Sequence, residues 1–375
     1  MTVVGTRPEV IKLCRVIPAL DEHFDHVLVH SGQNWDHGLN QVFFDQLGIR
    51  RPDHFLEVGG KGLAETIGEI IVRSDRVMEQ EKPEALLLYG DTNTCLCVIP
   101  AKRRQIPVFH MEAGNRCFDE RVPEELNRKV VDHLSDVNMP LTEHARRYLL
   151  AEGLRPETVI VTGSPMGEVL EHFRPAIEAS PALAQLGLSP GAYFVVSAHR
   201  EENVDRPERL RRILATLRAV RAEWGHPVVV STHPRTRQRL EALGEADAAA
   251  VLGDPGVRFE KPFGFLEWVR LQMDAACVLS DSGTLTEESS LLGFPAVMLR
   301  EAHERPEGMD AGTVIMSGLE PGRVIEAVRV QMALRRDRGA RDRVADYQDL
   351  HVSKKVVQII HSYVDYVNRT VWRKG

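Results

Sequence analysis

Residues 193–231 read YFVVSAHREENVDRPERLRRILATLRAVRAEWGHPVVVS. Tyr193–Ser197 is a short apolar, β-branched run, and Val228–Ser231 is another. Between them, Leu210, Ile213, Leu214, Leu217, Val220 and Trp224 follow the i, i+3, i+4, i+7 stripe of one buried helical face. Strand, polar turn, amphipathic helix and strand form a βαβ unit. Strands that are apolar throughout fit a parallel sheet covered on both faces. The same alternation runs along most of the chain, with further candidate strands at Val3-Val4, Val27–Val29, Ala85–Tyr89, Val108–His110, Val159–Val161, Val278–Ser280 and Ala296–Leu299. The expected class is α/β, with two doubly wound domains of similar size facing one another across a cleft.

A length of 375 residues suggests two domains at roughly 150 residues each. The boundary is expected within 171–191 (EHFRPAIEASPALAQLGLSPG), where Pro175, Pro181, Pro190, Gly187 and Gly191 interrupt the pattern. This gives domains of 1–170 and 171–351. Residues 332–346 are charge-dense and read as a solvated helix plus turn, whereas Val356 to Trp372 is apolar enough to pack. A net charge of −7 argues against a nucleic-acid partner. Apolar runs such as Ala85–Tyr89 fall far short of the ~20 residues that span a bilayer. No charged-then-apolar leader opens the chain. The first strand, Thr2 to Val4, is clipped, so a few upstream residues are expected. Five cysteines, at 14, 95, 97, 117 and 277, are an odd set without framework density, which points to a reduced cytoplasmic setting. Cys95-x-Cys97 is not a zinc spacing, and no metal is expected.

The turns after the strands carry the chemistry: GTRPEVIK (5–12), GDTNT (90–94), MEAGNR (111–116), TGSP (162–165), SAHREEN (197–203), THPRT (232–236) and DSGTLTEES (281–289). In open α/β sheets, ligands sit beyond the carboxyl ends of strands, and helix starts there bind anions. A phosphorylated ligand is therefore expected. Gly60-x-Gly62-x-x-Glu65 lacks the third glycine of a dinucleotide fingerprint, and no Walker A lysine motif occurs, so neither NAD nor ATP is supported and no cofactor is expected. Arg7 and Lys12, five apart on the first turn, read as a phosphate clamp or as two surface cations. Asp91, Glu112 and the Glu124-Glu125 pair before Asn127-Arg128 each read singly as helix caps or first-turn acids. His199 alone reads as structural, with Arg200 beside it. Together these groups cluster where a site is expected. Ser282-Gly283 opens a helix where phosphate or ribose can approach the backbone, with Glu287-Glu288 in its first turns. Phe263 and Phe265 read as core aromatics.

Taken with YGDTNT, HMEAGNRCFDERVPEELNR, TEHARRYL and REAHERPEG, these motifs resemble the non-hydrolysing UDP-N-acetylglucosamine 2-epimerase family, collinearly from Thr6 to about Gly308. The resemblance implies two Rossmann-like domains in the manner of GT-B glycosyltransferases, with UDP between them. It also implies that the last helices (352–375) return to the first domain, that the chain forms a homodimer, and that no metal or nicotinamide is required. The family's phosphate-binding Arg and Lys match Arg7 and Lys12, and its catalytic carboxylates match Asp91, Glu112 and Glu124. Its active-site histidine matches His199. The Ser-Gly pair on the β-phosphate matches Ser282-Gly283, the ribose-binding glutamate matches Glu288, and the uracil-side aromatic matches Phe265. Arg200 and His233 lie in matched motifs as further UDP-binding candidates.

These residue types suit the implied reaction. UDP leaves C1, a base removes the C2 hydrogen, and a 2-acetamidoglycal remains; re-protonation from the other face and return of UDP invert C2. The segment 31–56, with Gln33-Asn34-Trp35, departs from the run that contributes to an allosteric UDP-GlcNAc site in bacterial members. Together with AGNRCFDERVPEE it is more similar to the branch forming UDP-N-acetyl-L-fucosamine for surface polysaccharide. UDP-GlcNAc/UDP-ManNAc epimerisation is the next reading. A GT-B glycosyltransferase, a hydrolysing relative and a non-catalytic UDP-sugar sensor are the alternatives from other classes.

Overall fold

The computed structural model describes residues 1–32, 44, 46–59, 62–244, 251–335 and 343–374. Gln33-Asn34-Trp35, Gly60 of the failed fingerprint and residues 336–342 of the charge-dense run lie outside them. The chain divides into two compact units, Met1–Glu171 with Asp346–Gly375, and His172–Ala345.

The first unit holds β1 (Thr2–Val4), β2 (Leu28–His30), β3 (His54–Phe55), β4 (Leu86–Tyr89), β5 (Val108–Met111) and β6 (Val137–Met139) in the order β3-β2-β1-β4-β5-β6. Every pair is parallel, with Thr2 opposite Leu28 on one side of β1 and Leu87 on the other. The second unit holds β7 (Phe194–Ser197), β8 (Val228–Ser231), β9 (Val257–Glu260), β10 (Cys277–Ser280), β11 (Ala296–Met298) and β12 (Val314–Met316), in the order β12-β11-β10-β7-β8-β9, again all parallel. Counted from its own first strand, each sheet has the Rossmann order, which reverses between first and fourth strands. The two units are thus Rossmann-like and doubly wound. The switch points lie between β1 and β4 and between β7 and β10.

The helix Pro207–Trp224 buries Leu210, Ile213, Leu214, Leu217 and Val220, none more than 5% exposed, against Phe194, Val228 and Val230. Burial of each such side chain stabilises by about 1.5–3 kcal/mol. The last helix, Val352–Thr370, packs on Val16–His23 within the first unit. Its Ser353 N–H and hydroxyl donate to Glu168, and Tyr363 donates to the Glu157 carbonyl at 2.9 Å. Among the described residues, no helix is long and apolar enough to cross a membrane.

Strand reading from sequence fails in two ways. Val159–Val161 is not a strand; only Val159 bridges to Asn138 before the chain turns through Gly163 (φ +86°). Conversely, β3, β9 and β12 escape the reading: His54-Phe55 is two residues, Val257–Glu260 is broken by charge, and Val314–Met316, though apolar, is only three residues long. All three are part-exposed edge strands, so burial does not impose a longer run.

His30, at the end of β2, is 3% exposed among the rings of Phe44 and Phe55, and its Nδ1 accepts the Gly32 N–H at 2.9 Å. Burial pushes its pKa down from 6.5 to about 4. The unfolded chain therefore binds a proton here that the folded chain refuses, and stability falls as pH drops from 6.5 toward 4. This group alone accounts for up to about 3 kcal/mol. His30→Asn keeps an acceptor for Gly32 and should make the acid decline of urea-unfolding stability shallower. An unchanged slope would refute the assignment.

Candidate functional site

The polar turns of the first unit meet at its switch point. Gly5 follows β1, and a Cβ there would lie 2.1 Å from Thr94 Oγ1 and 2.3 Å from Ser31 Oγ, so the backbone can pass only as glycine. Thr6 then caps the helix Arg7–Leu13, with Glu9 closing a capping box. Buried Glu9 accepts from the Gly5 and Thr6 N–H groups and from the Thr92 hydroxyl, tying the turn after β1 to the turn after β4. Burial pushes Glu9 up to about 7 against those donors. Arg7 opens the helix. Lys12 lies in its last turn rather than on the first, because the helix starts at Arg7 itself. The Lys12 ammonium is buried, 2.8 Å from Glu112 Oε2 and 5.3 Å over the Tyr89 ring.

Glu112 follows β5 directly with φ +60°. For a residue other than glycine, a left-handed backbone costs on the order of 1–3 kcal/mol. The surroundings hold it there: its N–H donates to the Met139 carbonyl at 3.1 Å, Lys12 holds one carboxylate oxygen, and Asn115 Nδ2 donates to the other at 3.2 Å.

Asp91 follows β4 after Gly90 (φ +74°). Arg128 Nε donates to its Oδ2 at 2.8 Å, and Asn127 Nδ2 donates to its carbonyl at 2.9 Å. Burial raises the Asp91 pKa, Arg128 opposes, and repulsion from Glu112 and Glu124 adds to the rise; the net direction is upward. Asp91 therefore feels the charges of both Glu112 and Glu124.

The helix Pro123–Leu134 separates its two leading glutamates. Glu125 is fully buried and accepts from the Cys117 and Phe118 N–H groups, both at 3.1 Å, and from Arg128 Nη1 at 2.6 Å. Burial alone would raise Glu125; the Cys117 N–H and Arg128 outweigh it and hold the group below its ordinary range. Glu125 is committed to folding the loop. Glu124, one residue earlier, is part-exposed.

The second unit gathers a separate group at its own switch point. His199 and Arg200 follow β7. Their N–H groups donate to buried Asp281 at 3.0–3.1 Å, as does Asn203 Nδ2, and His199 Nδ1 lies 3.4 Å from the same carboxylate. The His199 side chain is 41% exposed, and its ring centroid is 6.1 Å from that of His233. His233 caps the helix Pro234–Ala242 by accepting the Arg235 N–H. Ser282 and Gly283 precede the helix Thr284–Leu292, with the Ser282 hydroxyl 3.0 Å from that of Thr284. A Cβ on Gly283 would lie 2.5 Å from Glu304 Oε1, and that oxygen accepts from Arg200 Nη2 at 3.1 Å. Of the next two glutamates, Glu287 is fully buried and paired with Arg305 at 3.1 Å, while Glu288 accepts from Gln272 at 2.7 Å.

Phe265, the residue matched to the uracil-side aromatic, is buried within the second unit. It is 5% exposed and packs edge-on to Phe173 with centroids 5.9 Å apart, so its ring presents no open face. It supports the turn from inside. Phe263, part-exposed and stacked on Trp268, is the more open ring.

Reading by motif gave no role to Arg128, Asp281 or Glu304. Arg128 was within reach: it stands four residues after Glu124 and three after Glu125, the spacing of one helical face. Asp281 looks from sequence like the helix cap of its own turn, whereas it serves the turn after β7.

The family model described as UDP-N-acetylglucosamine 2-epimerase matches residues 18–361. A structure described as UDP-N-acetylglucosamine 2-epimerase from Rickettsia bellii is 54% identical with a TM-score of 0.92, covering 100% of this chain and 99% of that one. The Methanocaldococcus jannaschii UDP-GlcNAc 2-epimerase in complex with UDP-GlcNAc and UDP is 30% identical with a TM-score of 0.89, covering 96% and 99%. A UDP-2,3-diacetamido-2,3-dideoxy-D-glucuronate 2-epimerase from Pseudomonas aeruginosa is 32% identical, over 88% of this chain and 92% of the relative.

Proposed function

Because this chain belongs to the UDP-N-acetylglucosamine 2-epimerase family, we propose that it inverts C2 of a UDP-N-acetylhexosamine by eliminating and re-adding UDP, without hydrolysis. The observation that carries this reading is Asp91 after β4, with Glu112 after β5 and Glu124 at the start of the helix Pro123–Leu134 both near enough to push the Asp91 pKa upward. A C2 hydrogen with no adjacent carbonyl is not acidic. Breaking the C1–O bond to UDP makes C1 electron-poor, and the C2 hydrogen then becomes removable. A carboxylate takes that proton, the C–H electron pair becomes the C1=C2 double bond, and UDP carries away the glycosidic pair. Re-protonation at C2 by a second acid on the opposite face, with attack of UDP oxygen on C1, completes the inversion. The sequence is redox-neutral and balanced. General acid–base groups contribute typically about 10²–10⁴-fold, and fixed cations and N–H dipoles on the leaving diphosphate add a further large term. Asp91, Glu112 and Glu124 share the proton transfers. Ser282, Gly283, Arg200, His199 and His233 hold the diphosphate side, Glu288 takes the ribose hydroxyls, and Arg7 with Lys12 supplies cations to the departing UDP.

For the sugar, we favour the inversion that yields UDP-N-acetyl-L-fucosamine, from the similarity of AGNRCFDERVPEE to that branch. UDP-GlcNAc/UDP-ManNAc is the second reading, supported by the named substrates of the relatives. The Pseudomonas relative's name marks the family as open to more than one sugar. A homodimer in the cytoplasm is the expected form.

NMR of the purified protein with candidate UDP-sugars in D₂O tests the reading. The expected result is a C2 epimer carrying deuterium at C2, formed without any acceptor. Free N-acetylmannosamine with UDP would mean hydrolysis, product only with an acceptor would mean glycosyl transfer, and UDP binding without exchange would mean a sensor.

A further inference from the structure

Beneath the carboxylate turns lies a buried charge cluster that the reaction above does not use. His110, on β5, is 1% exposed. Its Nδ1 is 2.9 Å from Asp132 Oδ1, and its Nε2 is 2.7 Å from the Gly90 carbonyl. Asp132, fully buried near the end of the helix that begins with Pro123-Glu124-Glu125, also accepts from the Gly114 N–H at 3.1–3.2 Å and from Arg116 Nη1 at 2.7 Å. Arg116 in turn donates to the Asn115 carbonyl at 2.7 Å and grips Glu152 through two bonds of 2.7–2.8 Å.

The protonation states follow from donor and acceptor counting. Asp132 receives two other donors, the Gly114 N–H and Arg116, and serves His110 as an acceptor. A backbone carbonyl can only accept. Both ring nitrogens of His110 thus face oxygens that need a proton, and only the imidazolium supplies two. Burial opposes that charge, but Asp132 and the Gly90 carbonyl outweigh it and raise the His110 pKa. His110 and Arg116 balance Asp132 and Glu152, so the cluster can be buried without net charge.

We propose that His110, Asp132 and Arg116 are positioning residues that lock the three acid-bearing elements into one register. His110 holds the carbonyl of Gly90, the residue before Asp91. Asp132 holds Gly114, two residues after Glu112, and Arg116 anchors the same loop. Gly114 has φ +81°, and a Cβ there would lie 2.5 Å from the Ala145 carbonyl, so this loop is pressed against its neighbour and depends on that N–H bond for its path. Asp132 itself belongs to the helix that presents Glu124. None of the three touches the reacting carbons; they act through where they put Asp91, Glu112 and Glu124, and the inference rests on the acid–base reading of those carboxylates.

His110→Gln, Asp132→Asn and the double variant test this, with C2 exchange in D₂O read per folded molecule and UDP affinity read by calorimetry. Each single variant is expected to lower the exchange kcat by about 10–100-fold, as loss of a supporting contact behind a reactive group typically does. UDP affinity should stay within about twofold, and the double variant should be no worse than the poorer single one, because both break one unit. A merely structural role would lower thermal stability but leave the per-molecule kcat within about threefold, and that result overturns the proposal. Should His110→Gln fail to fold, Asp132→Asn, which keeps the shape and one acceptor, decides alone. A parent protein that exchanges no C2 hydrogen overturns the acid–base reading and this inference together; exchange by the parent matched by the variants overturns only the latter.

Discussion

Asp91→Asn lowers the rate of C2 hydrogen exchange by about 10²–10⁴-fold, the usual contribution of a general acid or base, and leaves UDP binding within about twofold. The substitution is close to isosteric, and its amide oxygen can still accept from Arg128 Nε, now at 2.8 Å from Asp91. The fold is therefore retained and what is lost is the proton. Asp91 is the member of the trio on which the others' charges act most visibly: burial and the fields of Glu112 and Glu124 push its pKa up while Arg128 restrains it. A carboxyl whose pKa is raised in this way holds a proton more readily than a free one. Single-turnover exchange in D₂O, followed by NMR, measures the effect. A rate within threefold of the parent at full substrate occupancy would remove Asp91 from the proton path, and exchange surviving amide substitution of Asp91, Glu112 and Glu124 alike would end the mechanism.

Arg128→Met carries the largest expected cost in stability. The guanidinium is 3% exposed on its side chain and bridges Asp91 to Glu125, with bonds of 2.8 and 2.6 Å. Methionine matches its apolar stem but leaves two carboxylates without their shared cation, one of them fully buried. Removing one partner of a buried pair costs about 3–5 kcal/mol, which chemical denaturation of the full chain would read. The electrostatic consequence has a definite sign. Without Arg128 the Asp91 pKa rises further, so any activity that needs ionised Asp91 moves to higher pH. Arg128→Lys should recover part of the stability and part of the pH shift. A stable Arg128→Met protein with an unmoved acid limb would show that the cation does not govern Asp91.

The sheets were legible because their central strands are covered on both faces, which forces apolar runs such as Ala85–Tyr89 and Tyr193–Ser197. The chemistry was legible because polar turns follow those strands. Edge strands escaped, since a half-exposed strand such as Val257–Glu260 can mix valine, arginine and glutamate. What no motif could give was the division of labour between adjacent like residues. Glu124 and Glu125 look equivalent in the sequence; only the three donors converging on Glu125 show which is consumed by the fold. The packing of Phe265 was hidden for the same reason, because its contact with Phe173 depends on a helix from a distant stretch of chain. His110 looked like one more strand residue, and its charge emerges only from the oxygens that meet both ring nitrogens.

The left-handed backbone at Glu112 has an evolutionary corollary. Glycine or asparagine would rest there more comfortably, but either would leave the buried Lys12 ammonium without the carboxylate 2.8 Å away, a loss of about 3–5 kcal/mol that exceeds the strain relieved. Directed evolution scored only on heat resistance should therefore keep a carboxylate at this one codon, and with it the left-handed backbone.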